Sequence, residues 1–398
     1  MKSFNKNGLI MVFPMDMASH YLRCLELCKK LNNQFDIMIA NSERFGNFIK
    51  RLNIETFETE NFDPEEIVNA TVNFDFSWIN RENIERVLYS QINTIQEYEP
   101  DFVLGDTSLP LKIASEKTDT TFISLLNGYM TKYYRLTRNV SRNHPGYEYS
   151  DKMPAIIFNL LVRLIEYVSF RKIHKPFRLI RKELSLSSQH YFLDELEGYV
   201  NLICDLPDFF PQKKHNKNYH FIGPLFYRGN DCEEEIIEFI GDHNPNILVS
   251  MGSTGNWEKI SFLNDSIFEE FKIIVSNKDN PIMNRSNTLS RSFINHTAIL
   301  DMIDIVICHG GNGTIYQALS HGVPVLCITN NFEQEWNSQR IEELELGTLI
   351  NDTSDVMEIR RIIDFWINRK RSNRFLKIKQ RISDFLNKPI YLRNLLKN

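Results

Sequence analysis

A glycine-rich segment in the second half of the chain has the residue types of a phosphate-binding site. It runs from His309 to Thr314 with the sequence HGGNGT and directly follows the apolar residues 305–308. The apolar residues predict a buried strand, and residues 314–320 predict the first turns of a helix. Glycines let a backbone approach an anion closely, and the N–H groups at a helix N-terminus bind phosphate. The candidate phosphate ligands are therefore His309, Gly311, Asn312, Gly313 and Thr314. A turn that only joins a strand to a helix is the simpler alternative.

A histidine near the amino terminus has a position suited to general-base chemistry. His20 comes after the apolar residues 9–13 and opens a stretch with leucines at helical spacing. Asp106 ends a second apolar run, so both side chains are expected at the carboxyl edge of one parallel sheet. A carboxylate beside a histidine fixes its tautomer and stabilises its protonated form. The sequence offers His20 as a base with Asp106 as its partner, and Asp16 as a reserve base. A histidine that caps its helix and an aspartate that caps its own loop are the structural alternatives.

These candidates need strands and helices that carry them to a sheet edge. Short apolar runs alternate with helical stretches along the chain, and this alternation is typical of parallel βαβ units. The predicted strands cover residues 9–13, 35–40, 102–105, 122–126, 246–251, 272–276, 305–308 and 324–328. Two Rossmann-like domains are the economical interpretation, joined near residues 221–225, where a Gly-Pro pair interrupts regular structure.

The order of motifs in the second half resembles the donor-site signature of the UDP-glycosyltransferase superfamily. That signature has a His-Gly-Gly segment, a Gly-Val-Pro, and an acidic-Gln pair followed by Asn. Here they are residues 309–311, 322–324, 333–334 and 337. The sequence departs from the pattern at Gln317, where many relatives have a glutamate that holds the ribose hydroxyls, and at Thr329, which replaces a usual proline. A glutamine can still hydrogen-bond a ribose, although less strongly than a carboxylate.

The resemblance implies the α/β GT-B fold, in which two Rossmann-like domains face each other across a cleft. It implies an N-terminal acceptor-binding domain over residues 1–223 and a C-terminal nucleotide-sugar-binding domain over residues 224–370. A final helical segment, residues 371–398, is expected to pack back on the first domain. Beyond the glycine-rich segment, the implied donor-site residues are Ser253 and Thr254 for phosphate, Ile294 for the base, Gln317 for the ribose, and Glu333 and Gln334 for the sugar.

The resemblance also places the candidate base. His20 matches a family histidine that usually follows a glycine, although Ser19 precedes it here, and Asp106 resembles the family aspartate that orients that histidine. The implied reaction is the inverting transfer of a hexose from a nucleotide diphosphate sugar, most simply a UDP-sugar, to a hydroxyl of a lipophilic small molecule or lipid. A sugar-nucleotide epimerase of the same fold and a non-catalytic GT-B partner protein are the alternatives.

Composition excludes several other classes of protein. Hydrophobic residues make up 42% and charged residues 24% of the chain, as in soluble globular proteins. The net charge of −5 argues against a nucleic-acid-binding protein. The six cysteines form no CxxC motif, which favours a reduced, cytoplasmic protein without a zinc site. No Asp-x-Asp motif accompanies the donor elements, so we expect no required metal and no cofactor besides the donor substrate.

Two basic regions bear on the acceptor. Residues 154–170 are apolar and precede several basic residues, beginning with Arg171, Lys172 and Lys175. In relatives a helical excursion here covers the acceptor pocket. A second basic segment surrounds an apolar stripe within residues 371–385. The two regions suit peripheral contact with the anionic inner face of a membrane. A pocket lid and a solvated packing helix are the simpler alternative.

Overall fold

The computed structural model describes residues 8–73, 75–142, 144, 146–150, 152–213, 217–229, 231–241, 245–277, 279–282, 285–351, 354–370 and 372–396. The chain forms two compact units. The first comprises Met1–Leu225 together with Lys388–Asn398, and the second comprises Phe226–Asn387. Each unit is an α/β domain built on one parallel sheet, as the alternation of apolar and helical segments predicted.

The sheet of the first unit positions the candidate base. Its strands are β1 (Leu9–Pro14), β2 (Asp36–Ala40), β3 (Glu55–Phe57), β4 (Phe102–Asp106), β5 (Thr121–Leu126), β6 (Val200–Ile203) and β7 (Tyr219–Phe221). They lie in the order β3-β2-β1-β4-β5-β6-β7, and every neighbouring pair is parallel. Strand β1 is buried along its whole length, which explains its unbroken apolar sequence LIMVFP.

Helices cover this sheet and its edges. They are α1 (Ala18–Leu31), α2 (Gly46–Leu52), α3 (Pro64–Val72), α4 (Arg81–Tyr98), α5 (Leu111–Lys117), α6 (Ala155–Ile173), α7 (Lys175–Glu183) and α8 (Phe192–Leu196). One apolar cluster packs α4 and α5 against the sheet, and a second packs α1 and α2 against it. Because both faces are covered, the buried strands need no polar alternation.

The second unit repeats the architecture. Its strands are β8 (Asn246–Ser250), β9 (Lys272–Val275), β10 (Thr288–Ser290), β11 (Ile305–Cys308), β12 (Val325–Cys327) and β13 (Gly347–Leu349). Their order is β10-β9-β8-β11-β12-β13, again with parallel neighbours. Its helices are α9 (Glu234–Ile240), α10 (His296–Ile299), α11 (Asn312–Ser320), α12 (Phe332–Glu343), α13 (Val356–Ile367) and α14 (Asn373–Asn387).

The carboxyl-terminal segment divides between the units. Helix α14 belongs to the second unit, where it packs on α11, and Gly322 approaches the backbone of Phe375. Only residues from Lys388 onward, including α15 (Leu392–Leu396), belong to the first unit. The sequence predicted one packing segment over residues 371–398, and the structure instead divides it at 387/388. The boundary between the units falls at 225/226, two residues beyond the predicted 223/224.

Candidate active site

The structure brings His20 and Asp106 together at the carboxyl edge of the first sheet. Strands β1 and β4 pair in register so that Pro14 lies beside Asp106, and the N–H of Met15 donates to the Asp106 carbonyl at 3.1 Å. Helix α1 starts directly after this turn, which places His20 in its first turn. The Nδ1 atom of His20 lies 2.9 Å from Oδ1 of Asp106. The histidine side chain is 12% exposed, whereas the aspartate is fully buried.

Arg23 is a third member of this group that the sequence analysis did not identify. Its Nε donates to Oδ2 of Asp106 and its Nη2 donates to Oδ1, so the guanidinium grips the carboxylate with two hydrogen bonds. The same Nη2 lies 3.0 Å from Nδ1 of His20. Two planar donors, the guanidinium and the imidazole, therefore converge on one carboxylate oxygen.

The charges of this group explain the state of Asp106. Burial raises the pKa of the carboxyl group, but the neighbouring Arg23 and then His20 outweigh burial and lower the pKa to about 2. The aspartate is thus ionised at neutral pH and accepts hydrogen bonds from its neighbours. When Nδ1–H of His20 donates to Asp106, the opposite ring nitrogen Nε2 is left as an acceptor that can take a proton.

A buried polar network fixes Arg23 from behind. Its Nη1 donates to Oδ1 of Asn127 at 2.6 Å, just beyond the end of β5. The side chain of Asp205 accepts from the Asn127 amide at 3.4 Å and from the N–H of Gly128 at 2.7 Å. Because Arg23, Asn127 and Asp205 are all buried, these bonds hold the guanidinium in one orientation.

One feature of the sequence points to Arg23. It lies three residues after His20, and residues at this spacing share a helix face. Its neighbours Cys24, Leu25 and Leu27 are buried, so an arginine among them requires a buried acidic partner. The reserve base Asp16 lies nearby in the chain, and its Oδ1 accepts a hydrogen bond from Ser42 Oγ at 2.7 Å.

In the second unit, the glycine-rich segment forms a strand, a tight loop and a helix. Strand β11 ends at Cys308, and α11 begins at Asn312 with Gly311 as its N-cap. The helix starts two residues earlier than predicted, so Asn312 and Gly313 lie in its first turn beside Thr314. Gly310 has a φ of +86°, and a Cβ there would lie 2.5 Å from Ser338 Oγ. Both facts require glycine at this position.

The imidazole of His309 lies between two glycines. A Cβ at Gly311 would come within 2.4 Å of His309 Nε2, and a Cβ at Gly252 would come within 2.7 Å of Cε1. Gly252 belongs to the loop after β8 that carries Ser253 and Thr254, and its φ of +57° also favours glycine. The loops that follow β8 and β11 therefore meet at this ring, at the carboxyl edge of the second sheet.

His309 is a neutral hydrogen-bonding group in this environment. Burial lowers its pKa to about 4, partly offset by a contact with the backbone of Ser250. In the described part of the chain its Nδ1 is buried without a hydrogen-bond partner.

Gln334 links the loop after β8 to the loop between β12 and α12. Its Nε2 donates to Thr254 Oγ1 at 2.9 Å, and its Oε1 accepts from the N–H of Asn330 at 2.7 Å. Three residues later, Asn337 donates to the Gly310 carbonyl at 3.1 Å. Glu333 is the partly exposed residue of the predicted pair and lies in the first turn of α12. The segment 333–337 thus supports the glycine-rich loop through Asn337, while the side chain of Glu333 remains partly exposed.

The residues predicted to contact base and ribose lie near a second histidine. Gln317 Oε1 is 3.1 Å from Nδ1 of His296, and Gln317 Nε2 donates to the Tyr227 carbonyl at 2.9 Å. Ile294 is buried just before α10, whereas the adjacent Phe293 is largely exposed. Across the described residues, no cluster of three or more His, Cys, Asp or Glu side chains has metal-binding geometry.

Comparison with known proteins agrees with this architecture. Residues 245–364 match the model of the glycosyltransferase family 28 C-terminal domain. The chain is 21% identical over 338 residues to a PGL/p-HBAD biosynthesis glycosyltransferase of Mycobacterium tuberculosis, an alignment covering 83% of this chain and 78% of that protein.

The chain is thus similar to glycosyltransferases over most of its length, and its second unit matches one of their family models.

Solved glycosyltransferase structures share the fold of both units. A glycosyltransferase of kitacinnamycin matches with a TM-score of 0.70 and 15% identity, covering 98% of this chain and 99% of the other. The spinosyn rhamnosyltransferase SpnG, solved with thymidine diphosphate, matches with a TM-score of 0.66 and 13% identity over 98% of this chain and all of the other (100%). The two parallel-sheet α/β domains of the chain thereby have the GT-B fold of these structures.

Proposed function

We propose that this glycosyltransferase moves a hexosyl group from a nucleotide diphosphate sugar, with UDP as the nucleotide, to a hydroxyl of a lipophilic small molecule or lipid. The observation that carries the proposal is the His309 ring, which lies between Gly252 and Gly311. This ring adjoins the N-terminus of α11, where backbone N–H groups favour an anion.

The donor half of the proposal assigns roles around the diphosphate. The first turn of α11, with Asn312, Gly313 and Thr314, receives the phosphates, and the hydroxyls of Ser253 and Thr254 add donors from the loop after β8. His309 contributes a neutral N–H donor because burial lowers its pKa to about 4. Donors aimed at the departing diphosphate stabilise its developing charge without a required metal.

The remaining donor groups bind the rest of the nucleotide sugar. Gln317 is proposed for the ribose, which requires its amide to exchange its present contacts with His296 and Tyr227 for the ligand. Backbone groups at Ile294 are proposed for the base. Glu333 is proposed for the sugar hydroxyls, with Gln334 fixing the loop beside it through Thr254.

The acceptor half assigns the chemistry to His20. With its Nδ1–H donated to Asp106, the Nε2 atom accepts the proton of the acceptor hydroxyl as that oxygen attacks the anomeric carbon. Asp106 stabilises the imidazolium that forms. The diphosphate leaves from the opposite side, so a single displacement inverts the anomeric centre.

The names of similar proteins inform the choice of substrates. The mycobacterial relative is named for PGL/p-HBAD biosynthesis, which supports a lipophilic acceptor. SpnG was solved with thymidine diphosphate, so dTDP is the competitor to UDP as nucleotide. The proposal further includes a cytoplasmic location with peripheral contact at the inner membrane face. The free state of all six cysteines is consistent with a reducing compartment.

Gly313 allows a clean test of the donor site. A Cβ at this position would meet no atom within 4 Å, so Gly313→Ala leaves the protein's own packing undisturbed. Alanine within a helix is about 0.5–1 kcal/mol more favourable than glycine, so the variant should fold at least as well. If a diphosphate binds at this turn, the added methyl group should weaken UDP binding at least about tenfold, or ~1.4 kcal/mol.

The matched control is Gly46→Ala in α2, where a Cβ also meets nothing within 4 Å. Isothermal titration calorimetry with UDP compares wild type with the two variants, while thermal unfolding checks the fold. We expect reduced affinity only in Gly313→Ala. Wild-type UDP affinity in Gly313→Ala would show that the diphosphate does not bind at the first turn of α11.

A further inference from the structure

Helix α6 exposes apolar side chains that a water-soluble helix normally buries. Ile156 is 77% exposed, Leu160 63%, and Leu164 and Val168 58% each. Other large apolar residues that are exposed on the same helix are Ile157, Leu161, Ile165 and Tyr167. At about 100° per residue these positions cover roughly half of the helix circumference. A continuous apolar face of this kind marks an interaction surface.

The opposite face of α6 is already occupied. Val162 is buried, and Phe170 and Ile173 pack against the apolar cluster of the first unit. Glu166 lies on this inner side and receives a hydrogen bond from Arg138 at 2.7 Å. The inner face therefore anchors the helix, and the exposed apolar face is left for a partner outside the unit.

Basic side chains border the apolar face. Arg171 and Lys172 lie in the last turn of α6, and Lys175, Arg178 and Lys182 follow on α7; all are exposed. The acidic residues of α6 and α7 are Glu166, which pairs with Arg138 on the inner side, and Glu183, which pairs with Arg81. This concentration of positive charge contrasts with the net charge of −5 of the whole chain. The border of the apolar face is thus suited to anionic groups.

The length and charge of α6 distinguish a surface helix from a spanning one. Among the described helices, none combines the length and apolar character required to cross a bilayer. A helix with an apolar face and basic residues instead lies in the interface, with its apolar side chains among the acyl chains and its cations near the headgroups.

We propose that α6 and the basic residues of α7 form a membrane-docking surface for an anionic lipid bilayer. This inference rests on the proposed function only in that a lipid acceptor would be reached from that bilayer. A second copy of the chain is a poorer occupant, because isologous pairing would bring the same exposed cations together. An anionic lipid surface satisfies the aliphatic face and the cations at once.

Sedimentation of the purified full-length chain with lipid vesicles tests the proposal. Vesicles of phosphatidylcholine with about one third phosphatidylglycerol are compared with phosphatidylcholine alone at low salt and at high salt. We expect binding to the anionic vesicles, with release by salt. A protein that stays in the supernatant with anionic vesicles at low salt would overturn the proposal.

Two variants separate the two components of the surface. Leu160→Ser/Leu164→Ser should weaken binding to anionic vesicles by at least about tenfold, since both side chains lose apolar contact. Neutralising Arg171, Lys172 and Lys175 to Gln should weaken binding to anionic vesicles by on the order of 100-fold, at roughly fivefold per charge.

Matched controls exclude general effects of charge and polarity. Lys50→Gln/Lys117→Gln/Lys217→Gln removes three exposed charges elsewhere on the first unit, and Ile237→Ser removes an apolar side chain that is 46% exposed on α9. Both controls should bind vesicles like wild type, and equal losses in test and control variants would contradict the docking surface. Sedimentation velocity must show the same oligomeric state for wild type and Leu160→Ser/Leu164→Ser; a wild-type dimer that becomes monomeric would assign the face to self-association instead.

Failure of this inference is distinguishable from failure of the proposed function. UDP titration reports on the donor site and requires no vesicles, whereas vesicle binding requires no donor. Absence of vesicle binding with intact UDP affinity would reject the docking surface and the proposed peripheral membrane contact, and would leave the donor site standing.

Discussion

Replacing Arg23 with methionine should expose how far this protein depends on one buried ion pair. The guanidinium donates to both oxygens of Asp106, and the carboxylate has no exposed surface. Removing one partner of a buried pair costs about 3–5 kcal/mol, because the other charge is left in a poorly solvating interior. Loss of the hydrogen bond to Asn127 adds about 1 kcal/mol. Arg23→Met should therefore lower the free energy of unfolding by on the order of 5 kcal/mol, a large part of the roughly 5–15 kcal/mol typical of folded proteins.

The pH dependence of that loss follows from Asp106. In the wild type its pKa is lowered to about 2, so its ionised form contributes stability that is present above pH 3.8 and is lost as the pH falls toward 2. Without Arg23, burial is opposed by His20 and by the hydrogen bond from Thr107, which are weaker than the guanidinium, and the pKa of Asp106 should rise above its ordinary value. The variant can then relieve its cost by protonating the carboxyl group. The difference in unfolding free energy between wild type and Arg23→Met should consequently shrink as the pH is lowered from neutral.

Urea denaturation across a pH series measures these free energies. The informative control is Arg23→Met/Asp106→Asn, which removes both charges and should recover most of the stability that the single variant loses. A single variant within about 1 kcal/mol of wild type at neutral pH would refute the stabilising role of the Arg23–Asp106 pair. So would a double variant that is no more stable than Arg23→Met.

Three further predictions concern other residues of the two sites. As the pH falls from 6.5 toward 4, the free energy of unfolding of the wild type should fall by roughly 3 kcal/mol relative to that of His309→Gln. The reason is that His309 takes up a proton in the unfolded chain, whereas in the folded protein its pKa is about 4. Parallel pH profiles of the two proteins in urea denaturation would refute this. Glu333→Ala should reduce discrimination among UDP-sugars more than it reduces UDP affinity, and calorimetry showing equal losses would place Glu333 outside the sugar site. Asp106→Asn should lower turnover less than His20→Ala, since it misorients the base without removing it; steady-state rates in the reverse order would contradict the assigned roles.

The sequence was sufficient to predict the pairing of His20 with Asp106. Each residue follows an apolar run, and the two runs became β1 and β4, which are neighbours in a parallel sheet. Parallel strands bring the residues beyond their carboxyl ends to one edge, so the prediction needed strand direction but no detailed packing. The glycine-rich segment was predictable for the same reason, because β11 precedes it.

Arg23 was not predicted because its role depends on a long-range contact. On the helix it stands among buried Cys and Leu residues, and only the fold places the Asp106 carboxylate against it. The start of α11 was also missed by two residues, because Gly311 caps the helix without a side-chain signal. Strands of three residues, such as Glu55–Phe57 and Gly347–Leu349, are too short for the alternation of side chains to identify.

The exposed face of α6 shows a different limit of sequence reasoning. Apolar residues at helical spacing ordinarily indicate a buried face. In residues 155–173, apolar side chains occur around nearly the whole helix, so the pattern does not identify which face is buried. Only the structure shows that Val162 is buried while Ile156 and Leu160 are exposed. The hydrophobic pattern predicts which side chains avoid water. The fold determines whether the rest of the protein covers them or leaves them exposed to a partner such as a lipid bilayer.

The proposed hexosyl transfer, with His20 activating the acceptor, can be measured directly. Purified wild type and His20→Ala are each incubated with UDP-, dTDP- and GDP-sugars and a lipid extract, and mass spectrometry follows the mass of the acceptor. Wild type should add one hexosyl residue, with a UDP-sugar as the preferred donor. His20→Ala should be slower by roughly a hundredfold to ten-thousandfold while binding UDP normally. Equal transfer rates in the two proteins, or release of free or epimerised sugar from donor alone, would contradict the proposed reaction.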